Sequence, residues 1–161
     1  MKSQDPSSEQ LQSIVNLFTQ RRLKQALSES SQMLEKFPNS VILFNIVGAS
    51  NAELRQFDAA IESYKKALEI KPDYAEAYYN MGNALKDKDD PEAAIDSYKQ
   101  ALKIKPNYAK AYNNMGVALK RVVFTKPSSG LQEVISSMID RKNIHYKTSN
   151  WGTVVEKIIY E

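Results

Sequence analysis

The sequence predicts an all-α fold, a solenoid of stacked helical hairpins with a helical cap at its C-terminal end. Three observations predict it: a repeat of about 34 residues, small residues and prolines returning on that period, and apolar residues spaced three and four apart inside each unit. The repeat is plainest when FDAAIESYKKALEIKPDYAEAYYNMGNALK, starting at Phe57, is set over PEAAIDSYKQALKIKPNYAKAYNNMGVALK, starting at Pro91. Roughly two-thirds of the positions are identical. Gly48, Gly82 and Gly116 keep the same spacing, as do Ala26, Ala60 and Ala94, and Pro38, Pro72 and Pro106. The chain holds five glycines, so three of them on one period leave little room for coincidence.

Taken in order, residues 1–6 are expected to be a disordered N-terminus and residues 7–121 the array. Residues 7–40 form a degenerate repeat, held to the pattern by Leu17, Ala26 and Pro38. Residues 41–74 and 75–108 form two clear repeats. In the latter, a first helix over about Ala75–Asp87 carries Tyr78, Met81 and Leu85 on one face. The turn KDKDDP comes next, with Asp90 placed as an N-cap and Pro91 at the first helical position. The second helix carries Ala94, Ile95, Tyr98, Ala101 and Leu102, and Pro106 stops it. Gly82 and Ala94 let two helix backbones approach closely, so a larger residue at either would overpack the hairpin.

Residues 109–121 supply the first helix of a further repeat. Beyond Arg121, VVFTKPSSG reads as an extended segment followed by a turn marked by Pro127 and Gly130. Leu131, Val134, Ile135 and Met138 are spaced for another amphipathic helix, and residues 140–150 read as a polar loop. Trp151, Val154, Val155, Ile158 and Ile159 mark a final helix, capped by Ser149 or Asn150. Residues 122–161 are thus expected to be a divergent helical tail. It would replace the missing partner of helix 109–121 and cover the open end of the stack. The alternative is a homodimer formed through the same apolar surface.

The pattern Tyr78-x-x-Met81-Gly82-x-x-Leu85, followed by Ala94, Tyr98, Ala101 and Pro106, resembles the tetratricopeptide repeat. The resemblance covers roughly three-quarters of the chain. The tail is similar to segments that follow such arrays in some bacterial proteins. The resemblance implies a right-handed solenoid in which the first helix of each hairpin lines a concave groove and the second lies outside. It also implies a scaffold that binds a peptide segment of a partner protein. One departure is the turn inside each hairpin, where the family usually has glycine and this chain has Arg21, Arg55 and Asp89. A positive φ costs such residues energy that glycine avoids. The turns are either strained or built with another geometry.

The first-helix residues not needed for packing are the candidate groove. On helix 75–87 these are Glu76, Tyr79, Asn80, Asn83 and Lys86, and on helix 109–121 Lys110, Asn113, Asn114, Val117, Lys120 and Arg121. Helix 41–53 offers the more apolar set Asn45, Ile46, Ala49, Ala52 and Glu53. An asparagine amide offers both donor and acceptor to a peptide bond. Asn80 and Asn114 each precede Met-Gly, an arrangement similar to the asparagine ladder in the superhelical repeats of the O-linked N-acetylglucosamine transferase. The other reading is that they are solvated residues of a repeat consensus. Replacing Asn80 and Asn114 by alanine is expected to weaken a ladder ligand and leave the fold intact.

A two-carboxylate clamp of the kind co-chaperones use on heat-shock protein C-termini needs cations that are mostly missing. Asn80 and Lys110 match it, but Asn45, Ala49 and Asn114 stand where Lys, Asn and Arg are required. The basic side chains Lys86, Lys110, Lys120 and Arg121 read either as a surface favouring an acidic peptide or as a solvated face.

Composition narrows the classes further. The chain of 161 residues has a net charge of +3 and no cysteine, so disulfides and thiolate-bound metal are excluded. That charge is far below a nucleic-acid binder's footprint, and no apolar run approaches the ~18 residues of a membrane span. Neither nucleic acid nor membrane is an expected partner, and the cytoplasm is the expected location. His145 is the one histidine and lies in the polar loop without a nucleophile motif. In the acidic run Asp87, Asp89, Asp90 and Glu92, Pro91 occupies the third ligand place of a calcium loop, so the run reads as a capped turn. Trp151 reads as core under the tail. The expectation is a non-enzymatic interaction scaffold without cofactor or metal. The alternatives are an accessory or targeting module of a transferase-like enzyme system, or a self-associating assembly protein.

Overall fold

The computed structural model describes residues 5–125, with side-chain surroundings for residues 5–122. Seven α-helices run in order: α1 (Ser8–Thr19), α2 (Leu23–Lys36), α3 (Val41–Glu53), α4 (Phe57–Ile70), α5 (Ala75–Asp87), α6 (Pro91–Ile104) and α7 (Ala109–Thr125). Among the described residues there is no strand. Each helix packs on the next in sequence, and the first helices α3, α5 and α7 also touch one another. That is the contact pattern of a quasi-one-dimensional stack.

Local chemistry sets the helix ends. Ser7 caps α1 in a capping box with Gln10. Ser40 Oγ accepts from the Leu43 amide at 3.3 Å, and Asp90 Oδ1 from the Ala93 amide at 3.1 Å. With Asp90 as cap and Pro91 at its first turn, α6 begins where the sequence places it. The second helices end at Phe37, Lys71 and Lys105. Each of these precedes a proline, which disfavours helical geometry at the residue before it.

The hairpin turns keep left-handed geometry without glycine. Arg21, Arg55 and Asp89 take φ values of 61°, 61° and 77°. In each turn the next amide closes back over the helix end: Arg22 N to Leu17 O at 2.9 Å, Gln56 N to Asn51 O at 2.8 Å, and Asp90 N to Leu85 O at 2.9 Å. Of the two expected readings, the strained one holds, at about 1 kcal/mol per residue. The side chains at these positions make their own contacts. Arg21 pairs with Glu53 at the end of α3, Arg121 of α7 with Asp89 at 2.5 Å, and the Arg55 guanidinium lies 5.2 Å from the Phe57 ring centroid.

The core is a row of small-to-large locks between paired helices. A Cβ built on Gly48 would sit 2.5 Å from Tyr64, and one on Gly82 would sit 2.6 Å from Tyr98. Both tyrosines are buried, alongside Ala60 and Ala94. These distances give Gly48 and Gly82 the packing reason expected of such small residues. Ser50 occupies the small position taken by Ala84 and Ala118 one and two periods later, and its hydroxyl is buried without a hydrogen-bond partner.

Two expectations change. Disorder over residues 1–6 does not extend to Asp5 and Pro6: Ser40 Oγ donates to Asp5 Oδ1 at 2.5 Å, and Pro6 is buried. The extended segment expected from Val122 is instead helical through Thr125. The period explains this, because Arg21, Arg55 and Asp89 are followed on it by Val123. A β-branched residue at positive φ is a genuine outlier, so the left-handed turn is disfavoured there and the helix runs on. Residues 1–4, the turn at Pro127 and Gly130, the segments 131–138 and 151–159, and the loop with His145 lie outside the described residues.

Candidate functional site

Stacking turns the inner faces of α1, α3, α5 and α7 toward one concavity of about 510 Å³. Phe18 enters it from α1, and Asn45, Ala49, Ala52 and Glu53 from α3. Glu76, Asn80, Asn83, Ala84, Lys86 and Asp87 line it from α5, and Asn114 from α7. Tyr64 reaches it from α4, a second helix, because Gly48 has no side chain to block the ring.

The asparagines bind one another across repeats. Asn80 Nδ2 donates to Asn45 Oδ1 at 3.1 Å. Asn114 Nδ2 donates to Asn83 Oδ1 at 2.7 Å and to the Tyr79 hydroxyl at 3.2 Å. The Tyr98 hydroxyl donates to the same Asn83 oxygen at 2.8 Å. Each amide has two N–H donors and two oxygen lone pairs, so these bonds fix the side chains without exhausting them. Burial, then the nearby Tyr79 and Asp87, push the Tyr98 hydroxyl far above the ordinary tyrosine range, which keeps it a donor. Burial, then Glu53 and Glu76, do the same at Tyr64.

Of the expected groove residues, Asn45, Ala49, Ala52, Glu53, Glu76, Asn80, Asn83, Lys86 and Asn114 line this concavity. Seven others do not, among them Ile46, which packs against Ile14, Leu17, Ala26 and Leu43. Tyr79 was expected to be free of packing, yet it is half-buried, its ring centroid 4.9 Å from Tyr108 and 6.1 Å from Tyr98. Val117 is 60% exposed and lines a separate hollow with Arg55, Asp89 and Arg121. Lys110, Asn113 and Lys120 are exposed on α7 away from the concavity.

The basic lean also changes. Lys86 lies 3.2 Å from Asp87, and the concavity carries Glu53, Glu76 and Asp87 against that one lysine. An acidic ligand gains little there. Asn114→Ala also removes the amide that holds Asn83 and Tyr79, so it bears on packing as well as on a ligand. Phe18, Tyr64, Ala84 and Asp87 were not anticipated. Two of these were within reach, since Phe18 falls on one period with Ala52 and Lys86, and Asp87 with Glu53. Tyr64 carried no such signal, because it belongs to an outer helix.

Among the described residues no group of His, Cys, Asp and Glu is arranged to hold a metal ion, and no helix is long and apolar enough to cross a membrane.

The family model for the TPR repeat, the tetratricopeptide repeat, matches residues 52–89 and 82–122. A probable UDP-N-acetylglucosamine–peptide N-acetylglucosaminyltransferase of Arabidopsis thaliana is 37% identical over 67 residues, 42% of this chain and 7% of that protein. Among solved structures, the Sgt2 TPR domain from Aspergillus fumigatus superposes with a TM-score of 0.70 at 19% identity, covering 76% of this chain and 84% of that one. The first TPR of Spaghetti (RPAP3), bound to an HSP90 peptide, does so at 0.67 and 19%, covering 73% and 96%. At such identities the likeness shows the fold. Residues 52–122 are thus tetratricopeptide repeats, and the described helices share the fold of the TPR domains above.

Proposed function

We propose that the concave face holds an extended peptide segment of a partner protein. The observation that carries this reading is the concavity itself, where side chains from successive first helices converge and Asn45 and Asn80 present a fixed pair of amides. Amides pair with a peptide backbone with little regard to its side chains, and a preformed scaffold lowers the ordering cost on its own side. The structure of Spaghetti (RPAP3) with an HSP90 peptide supplies a precedent in this fold for a peptide ligand. The acidic lining here departs from a carboxylate clamp and suits a neutral or basic segment.

The test is selection of short random peptides displayed on phage against the full chain, followed by titration of those enriched. Asn45→Ala with Asn80→Ala removes both partners of one hydrogen bond, so no buried group is orphaned. The double variant is expected to keep its melting temperature and lose about tenfold in affinity, near 1.4 kcal/mol. Equal affinity in the double variant, or no enrichment by the unmodified chain, would reject the groove.

A second reading is an accessory or targeting module of a transferase-like system. The 37% identity to the plant transferase favours it, although the match spans only 7% of that protein.

A further inference from the structure

We infer that the gap over Ala49 and Ala52 is a side-chain pocket of the concave face, and that it takes a lysine or arginine of the bound segment. The pocket presupposes the bound peptide proposed above and names the residue class that peptide carries. The third hairpin shows what the second one lacks. There the Tyr98 hydroxyl donates to Asn83 Oδ1 at 2.8 Å, and Lys86 lies 3.2 Å from Asp87. One period earlier stand Tyr64 and Glu53, but Ala49 replaces Asn83 and Ala52 replaces Lys86.

The two alanines leave a gap with a polar floor. Ala49, Ala52, Glu53 and Tyr64 all line the concavity. Tyr64 is 2% exposed, and among the described residues its hydroxyl has no hydrogen-bond partner. A phenol so placed keeps its donor and its acceptor lone pairs for a ligand.

Electrostatics select the occupant. Glu76 of α5 lines the same concavity, exposed and paired with no cation among the described residues. Glu53 meets Arg21 through Oε2, but that arginine side chain is 74% exposed, so the pair neutralises the carboxylate little. Burial, then Glu53 and Glu76, hold the proton on Tyr64, which places both carboxylates within reach of its hydroxyl. An ammonium or guanidinium carries donors only, so it can bond the Tyr64 oxygen while lying in the field of both carboxylates. It then supplies to Glu53 the cation that Lys86 supplies to Asp87. An acidic side chain would meet two like charges there, and an apolar one would leave the hydroxyl unmatched.

The test titrates the full chain with short, fluorescein-labelled peptide pools, random except for a central residue fixed as Lys, Arg, Leu or Glu. The Lys or Arg pool is expected to bind roughly tenfold tighter than the Leu pool, and the Glu pool weakest. Tyr64→Phe removes a hydroxyl that holds nothing else, so the variant is expected to keep its melting temperature. It is expected to cut the preference for Lys over Leu roughly threefold. Ala49→Asn with Ala52→Lys copies the next repeat into the gap and is expected to abolish the preference. Should that double variant melt early, Tyr64→Phe decides alone. Binding by all pools without a basic preference would overturn the pocket and leave the groove standing. A preference left unchanged by either folded variant would place the cation elsewhere and overturn the pocket too. No binding by any pool would reject the groove reading, and the pocket with it.

Discussion

Helices α5 and α7 are almost the same helix written twice, AEAYYNMGNALKD and AKAYNNMGVALKR. They share their alanines, first tyrosine, Met-Gly pair and leucine, yet Gly82 is closed by Tyr98 and Gly116 is open. Tyr78 is half-buried and Tyr112 exposed. The contrast teaches that burial in a stacked array is conferred by the neighbour: one sequence gives a buried face or an exposed one according to the helix packed beside it.

Removing the neighbour's key side chain breaks that contrast most severely. Tyr98→Ala empties the space over Gly82 and deprives Asn83 of a donor, and is expected to cost about 3–5 kcal/mol in urea unfolding. Tyr112→Ala, on a half-exposed side chain, is expected to cost less than half as much. Gly82→Ala is expected to cost about 1–3 kcal/mol by overpacking against the Tyr98 ring, a melting-temperature drop that scanning calorimetry resolves. The same change at Gly116, where nothing lies within 4 Å, sharpens the comparison and is expected to gain up to about 1 kcal/mol.

Alkaline titration probes the locks collectively. Tyr64 and Tyr98 are held above the ordinary value of 10.0, and Tyr74 is pushed up to about 12 by burial and by Glu76. The unfolded chain releases these protons first. Their contribution is therefore complete below pH 10 and lost as pH climbs through 12, and helicity followed by circular dichroism should fall in that window. The smallest expected effect is a gain. Ser50→Ala removes an unpartnered buried hydroxyl and restores the alanine of the other repeats, adding up to about 1 kcal/mol.

The fold was legible because its punctuation is local. Asp90 and Pro91 start α6, and Pro106 stops it, without any knowledge of neighbours. The end of α7 was misread from the Pro127 and Gly130 turn signals, although Val123 already stood on the period of the turn residues. The groove was legible in part. Helical spacing separates one face from another, and so found Asn45, Asn80, Asn83 and Asn114. It does not say which faces of different repeats converge. Tyr79 and Asn80 are adjacent and both partly polar, yet one packs on Tyr108 and the other lines the concavity. Nor does spacing reveal that amides on successive repeats will bind each other before they bind a ligand.

The turn residues that replaced glycine have one more effect. The Gly-Tyr locks of the second and third hairpins are nearly identical in shape, so shape alone does not tell one docking partner from another. Sign does. The first turn offers Arg21 to Glu53, and the third offers Asp89 to Arg121, with the charges reversed. Were α7 to dock on the first hairpin, arginine would meet arginine. Were α3 to dock on the third, aspartate would meet glutamate. Each mismatch is worth no more than about 1 kcal/mol at such exposure. Chain connectivity sets the order of the hairpins, and the polarity of the first and third turns adds a small bias against the swapped pairings.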